Sequence, residues 1–356
     1  MSAAPQRPSR TRTNRSSTSA PAARAQSAPP AIRRLAPLPV ITMHSDGRWT
    51  ANRSSAGELR SAVLKPETKK KYKTALFRFF DWCHSLDISP PASCTHMDLL
   101  MSEYMEWLYE SDFRRASAVN AYFGLVHFFP QFKRNLPEAE IMMKGWNKLH
   151  PGQSYPPLTW PLTVLIAFQL LAFGQPAAAV AVLLSFDCFL RISECCKLKM
   201  EDVALPNDPR VGIAGQTWMS LNLKNTKTCK LDWTQLTRPA VSQILGRFIQ
   251  GMKSDTQLFP FTTSQLRSWF HRACSALGLT QFGYTPHSLR HGAATYDSLT
   301  GVSLEDIMRR GRWASSKSAR RYIQSGRSVL LSIQVPPELH AAGERIASNL
   351  TTWFGC

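Results

Sequence analysis

The chain is short of acid. Twenty-four Asp and Glu face 43 Lys and Arg in 356 residues, a formal charge of +19. Only 19% of residues are charged, so the imbalance comes from missing carboxylates and not from dense charge. Such a surface draws polyanions, nucleic acid before acidic protein or membrane. Paired cysteines are missing too. None of the eight forms a CxxC pair, and the nine histidines fall at no zinc-ligand spacing beside them. No metal site is expected, and thiols scattered through apolar runs indicate a reducing compartment. The N-terminus has no apolar run of the kind a secretory signal needs. The longest apolar stretch, Leu162 to Leu190, is broken by Gly174-Gln175-Pro176 and carries Gln169 and Asp187. It reads as two buried helices and not as a membrane span.

What is present divides the chain. Ten arginines meet only Asp46 and Glu58 before the first lysine, Lys65, in a stretch rich in Ser, Pro and Ala. Residues 1–62 are therefore expected to be a disordered basic tail. Three roles are open to it: an arm for phosphate backbones or an import receptor, an organelle transit peptide, or a plain linker. With 44% hydrophobic residues overall, the rest has ample material for about two domains.

Residues 63–150 read as a small four-helix module. Tyr72, Ala75, Leu76, Phe79, Phe80 and Cys83 recur at helical spacing behind Pro66. Further helices are expected over Met97–Tyr109, Arg114–Phe129 and Pro137–Leu149. Lys70, Lys73, Arg114 and Arg115 lie off the apolar stripes, as either a DNA-facing row or a solvated face. Residues 151–335 follow a Pro-rich joint. They read as mostly helical, with Trp218–Leu223 and Thr228–Leu231 as a hairpin around Asn225-Thr226. Helices are expected over 239–252, 262–277, 286–298, 303–311 and 315–324. Residues 336–356 form a last amphipathic segment, which can fold back on its own domain or dock on a neighbouring protomer.

Four segments carry chemistry: Leu190-Arg191-Ile192-Ser193-Glu194, Asn225-Thr226-Lys227-Thr228, Thr285-Pro286-His287-Ser288-Leu289-Arg290-His291, and Gly311-Arg312-Trp313 through Tyr322. A phosphodiester under attack gathers negative charge on its non-bridging oxygens, which paired guanidiniums can clamp. The nucleophile must lose a proton and the departing 5′-oxygen must gain one. A phenol of pKa about 10 is both nucleophile and later leaving group, so the phosphotyrosine bond conserves backbone energy. Neither hydrolysis nor a nucleotide cofactor is then needed.

The order and spacing of these residues resemble the tyrosine recombinase, or phage integrase, family over roughly Leu162 to Arg327. An Arg with a following Glu, a Lys at a hairpin turn, HxxR, and a Gly-x-Trp nine residues before a Tyr are all in place. The resemblance implies a mainly α architecture, with a helical core-binding domain before a mixed catalytic domain that holds a small β-hairpin. It implies that Arg191 and Arg290 bind the scissile phosphate and that Lys227 protonates the leaving 5′-hydroxyl. His287 would assist proton transfer. Trp313, where many members have His, would donate its indole N–H to a phosphate oxygen. Tyr322 would form the 3′-phosphotyrosyl bond, with Glu194 and His291 supporting the ligating groups.

Duplex DNA is the implied partner, bound by dimers that pair into a homo-tetramer. No cofactor, ATP or membrane is implied. The style of the last two segments resembles recombinases of eukaryotic mobile elements (DIRS-type or Crypton-like), which points to the nucleus. Two other readings share the fold: a domesticated, catalytically silent DNA-binding protein, and a type IB topoisomerase.

Overall fold

A computed structural model describes residues 40–43, 49–52, 62–91, 93–152, 154–213, 215–224 and 231–355. These fall into two compact units that divide after Pro151. Within the tail, strand β1 (Val40–Met43) pairs antiparallel with β2 (Trp49–Asn52). This corrects the expectation of disorder there. Val40-Ile41-Thr42 and Trp49-Thr50 are β-branched and aromatic residues that favour extended backbone, a local signal that the tail's overall composition conceals. The remainder of the expected disorder lies outside the described residues.

The first unit holds helices α1 (Pro66–Ser85), α2 (Cys94–Glu110), α3 (Arg115–Phe128) and α4 (Pro137–Leu149). Leu76, Phe79, Phe80, Met101, Tyr104 and Leu125 form its dry centre. Gly124 lets α3 lie directly on α1, because a Cβ there would stand 2.9 Å from the Tyr72 carbonyl oxygen. The N-terminus of α4 has no side-chain cap of its own. Buried Asp98 of α2 replaces one, accepting the N–H groups of Glu138 and Ala139 at 2.9 Å each.

The second unit is built on the two apolar helices, α5 (Trp160–Ala172) and α6 (Pro176–Asp187). No helix among the described residues is long and apolar enough to cross a membrane. The short helix α7 (Ile192–Cys195) follows, and then strands β3 (Val203–Ala204), β4 (Ser220–Lys224) and β5 (Leu231–Gln235) in an antiparallel sheet of that order. Leu221 stands opposite Thr234 and Leu223 opposite Asp232. The described return strand runs over Leu231–Gln235, beyond the expected end at Leu231, while Thr228–Lys230 lie outside the described residues.

Helices α8 (Pro239–Phe248), α9 (Thr263–Ala276), α10 (Pro286–Leu299), α11 (Leu304–Gly311) and α12 (Ser316–Arg320) come next. Helices α13 (Ser325–Gln334), α14 (Pro337–Ser348) and α15 (Leu350–Trp353) close the chain. The C-terminal segment packs on its own unit: Ile346 and Leu350 are buried in its core. Gly343 brings α14 against the start of α5, since a Cβ would sit 2.2 Å from the Pro161 carbonyl oxygen.

Candidate active site

Arg191 ends the apolar run of α6 and begins α7. Between them Phe189, buried, holds a left-handed backbone (φ +52°), an arrangement costly for a bulky side chain. Its carbonyl is held by two guanidiniums, those of Arg290 and, at 3.1 Å, Arg312. Arg191 is the N-cap of α7, and Glu194 answers it. The carboxylate accepts the Arg191 N–H at 3.0 Å and its guanidinium, and also Arg312 at 2.9 Å. Burial alone would raise the Glu194 pKa. The Arg312 and Arg191 cations and the backbone N–H outweigh it and hold the carboxyl below its ordinary range.

Helix α10 carries the next three groups. Thr285 caps it and Pro286 opens it, and His287, Arg290 and His291 follow at i, i+3 and i+4, on one face. Arg290 is completely buried. Besides Phe189 it donates to the Gly311 carbonyl, and its charged carbon lies 4.6 Å from the Trp313 ring centre and 5.3 Å from that of Tyr322. Burial and the nearby Arg191 and Arg312 cations lower its pKa.

Trp313 follows Arg312, itself in the left-handed region (φ +55°). Gly311 makes room for the indole, because a Cβ would come within 1.9 Å of the ring. Tyr322 lies just beyond the end of α12, in a turn and not inside the helix expected over 315–324. Its ring centre is 4.4 Å from that of His291, nearly parallel, 4.7 Å from Trp313 and 5.7 Å from His287. Two buried donors in this group, Arg290 Nε and Trp313 Nε1, have no hydrogen-bond partner among the described residues.

Five of the six expected reacting groups are therefore placed: Arg191, Arg290, His287, Trp313 and Tyr322. Arg290 lies against Trp313 and Tyr322, and His287 lies beside Tyr322. Glu194 and His291 touch Arg191 and Tyr322, respectively. Lys227 lies outside the described residues. Lys70, Lys73, Arg114 and Arg115 belong to the first unit. Lys70 lines a groove of about 900 Å³ with Lys71, Arg78, Trp82, Trp107 and Phe113. Lys73 stands 6.0 Å from the Phe77 ring, and Arg114 is the N-cap of α3 with Arg115 as its first residue.

Several participants carry no motif. Arg312 was legible only as the spacer of Gly-x-Trp. Asp187, fully buried at the end of α6, accepts Thr237 Oγ1 at 2.7 Å and Arg238 at 2.8 Å. Arg310 bonds Asp297 and, at 2.9 Å, the Asp187 carbonyl. This clamp fixes the turn that leads to Arg191. Its one signal in the sequence is an aspartate inside an apolar run, which must be paired if buried. Tyr155 meets the His287 ring edge-on at 4.9 Å.

Burial comes first among the causes that lower both histidines, His287 to about 4 and His291 to about 3, with neighbouring His287 and Arg290 charges adding to the His291 shift. Both are neutral at pH 7 and able to accept a proton. An unfolded imidazole takes up its proton near pH 6.5, so acid favours the unfolded chain. Stability is complete above about pH 6.5 and falls as pH drops toward the folded pKa. For buried His291 the loss at pH 5 is about 2 kcal/mol. Thermal melts between pH 7 and 5 should show it, with a shallower fall in His291→Asn. A flat melting temperature would contradict neutral imidazoles.

Comparison with known proteins agrees with this geometry. Residues 169–328 match the model of the phage integrase family, a span that holds every group from Arg191 to Tyr322. A comparison with curated proteins gives no match. Among solved structures, the Tn1549 transposon integrase (residues 82–397) with circular intermediate DNA is similar. It aligns with a TM-score of 0.54 at 15% identity, over 77% of this chain and 97% of that one. XerH site-specific recombinase in its post-cleavage complex with a palindromic difH substrate gives 0.51 at 17%, over 77% and 78%. A lambda integrase dimer bound to a COC′ core site gives 0.51 at 14%, over 75% and 74%. The fold is that of the tyrosine recombinases, and residues 169–328 form a domain of the phage integrase family.

Proposed function

We propose that the protein is a DNA recombinase that cuts and rejoins duplex DNA through Tyr322. The observation that carries this reading is the pair of buried, unpartnered donors beside the phenol, Arg290 Nε and Trp313 Nε1. Orphan donors cost about 1–3 kcal/mol each unless an acceptor meets them, and a phosphate supplies several acceptor oxygens. With Arg191, mostly buried at the edge of the site, they would hold the charge that builds on phosphorus.

In the step itself the Tyr322 oxygen bonds to phosphorus as the bond to the 5′-oxygen breaks. The phenol proton passes toward neutral His287, and the 5′-oxygen takes one from Lys227. A 5′-hydroxyl from another strand then reverses the attack and frees the tyrosine. Bond count is conserved in each half, so no external energy source is required.

Duplex DNA is the substrate in this reading, and the solved complexes of Tn1549 integrase, XerH and lambda integrase are with DNA. Dimers pairing into a tetramer, and a nuclear setting, extend the same proposal.

The test is covalent trapping. The full chain is incubated with nicked duplexes carrying a randomised segment, in EDTA and without ATP, and separated under denaturing conditions. A protein–DNA adduct that survives denaturation is expected. Tight duplex binding with no adduct anywhere in the pool would overturn the proposal in favour of a silent DNA-binding protein.

A further inference from the structure

We propose that Gln324 is a positioning residue for the Tyr322 nucleophile, acting through His291. The inference rests on the proposed recombinase chemistry and adds a residue that no motif marks. Gln324 is the N-cap of α13, where a polar side chain ordinarily accepts a backbone N–H of its own helix, yet it makes no such backbone bond. Its carboxamide turns back across the turn. Four acceptors surround the amide nitrogen, and the two nearest are His291 Nδ1 at 2.7 Å and Ser154 Oγ at 2.8 Å. Gln324 Oε1 accepts from Arg327 at 3.2 Å, and Arg327 also donates to the Ser154 carbonyl at 2.7 Å.

The backbone is fixed to the same helix. Thr295 Oγ1 donates to the Tyr322 carbonyl at 3.2 Å and accepts the Gln324 N–H at 3.0 Å. The peptide groups on either side of Ile323 are thus pinned to α10 by one hydroxyl. Below the phenol lies His291, nearly parallel to it. An amide nitrogen donates, so Nδ1 must accept and the proton of neutral His291 belongs on Nε2. Gln324 therefore sets both the rotation and the tautomer of the ring on which the nucleophile rests. Thr295 holds the backbone and the Tyr322 backbone also bonds the His291 ring, and Gln324 adds the side-chain donor that fixes Nδ1 as the accepting nitrogen.

The groups facing His291 are His287 and Arg290 on its own helix, Arg327 from α13, and the Tyr155 and Tyr322 rings. None is an acid, so a carboxylate placed at position 324 would be the only anion among them. Gln324→Glu cannot donate to Nδ1. It would hold a proton there and raise the imidazole into the neutral pH range, whereas Gln324→Ala would only release the ring.

Two measurements decide it. On the nicked duplex that traps the wild type, single-turnover adduct formation by Gln324→Ala should fall roughly 10–100-fold with duplex affinity unchanged. For Gln324→Glu the rate–pH profile should gain an inflection between pH 5 and 8 that wild type lacks, an effect that lost stability alone does not produce. Wild-type rates and profile in both variants would overturn the proposal. Nitrogen NMR of the His291 ring gives a readout without DNA. It should report the Nε2–H tautomer in wild type at pH 7 and, in Gln324→Glu, a ring that takes up its proton between pH 8 and 5. An unchanged ring in the variant would sink the positioning role even if the adduct forms. A missing wild-type adduct beside the expected NMR change would instead sink the recombinase reading.

Discussion

Tyr322→Phe is expected to abolish the covalent adduct, at least about 10³-fold below wild type, while duplex affinity stays within about threefold. The separation follows from what the side chain does in the fold. Its ring packs against His291 and Trp313 and beneath the Arg290 cation, and among the described residues its hydroxyl makes no hydrogen bond. Phenylalanine keeps every ring contact and removes only the oxygen that must bond to phosphorus. Arg290→Ala provides the contrast. It too should end cleavage, but it strips donors from the buried Phe189 and Gly311 carbonyls, so the fold weakens as well. A gel-resolved adduct in Tyr322→Phe would mean that another nucleophile acts, and nearby Tyr155 would be the first to examine. A melting temperature close to wild type is the accompanying control.

Much of the fold was legible because apolar residues repeat at the period of the element they form. Tyr72 through Cys83 mark one face of α1, and the residues after the Thr285-Pro286 start mark α10, within a residue or two of the observed bounds. Periodicity says less where an element is short or buried on all sides. Helix α13 went unseen, since Ser325-Gly326 opens it and Val329, Leu330 and Ile333 are exposed. The turn after α12 was absorbed into a longer helix, because Arg320-Arg321 continue a helical pattern of charges that the chain abandons to aim Tyr322 at α10.

The site divides in the same way. Groups that must meet phosphate carry their chemistry in their type and order, so Arg191, His287, Arg290, Trp313 and Tyr322 could be named from spacing. The groups that hold them are distant in sequence and ordinary in type. Arginine is by habit a surface residue, and nothing local distinguishes buried Arg312 from exposed Arg309 three residues before it. Ser154 and Gln324 are separated by 170 positions, and they meet where the chain lays Leu158 against Gly292 and Tyr155 against the His287 and His291 rings.

Arg312→Met should cost about 3–5 kcal/mol, the range for removing one member of a buried ion pair. The Arg312 side chain is 2% exposed and binds the Glu194 carboxylate at 2.9 Å, the Cys188 carbonyl at 3.2 Å and the Phe189 carbonyl at 3.1 Å. Methionine fills similar volume and satisfies none of them. Glu194 is then left with Arg191 alone, so its pKa rises and the left-handed Phe189 turn loses one of its two guanidinium braces. For a unit of about 200 residues the melting temperature should fall by roughly 10 °C. The penalty belongs chiefly to the stranded charge, so adding Glu194→Gln should recover part of it, and the double-mutant cycle would show strong coupling. Arg312→Lys keeps the charge without the planar fork and should fall between the two. The same substitutions should slow adduct formation beyond their effect on folding, because Glu194 is the group that orients Arg191. Stability of Arg312→Met within 1 kcal/mol of wild type would show that the buried guanidinium is not what holds Glu194 and the turn in place.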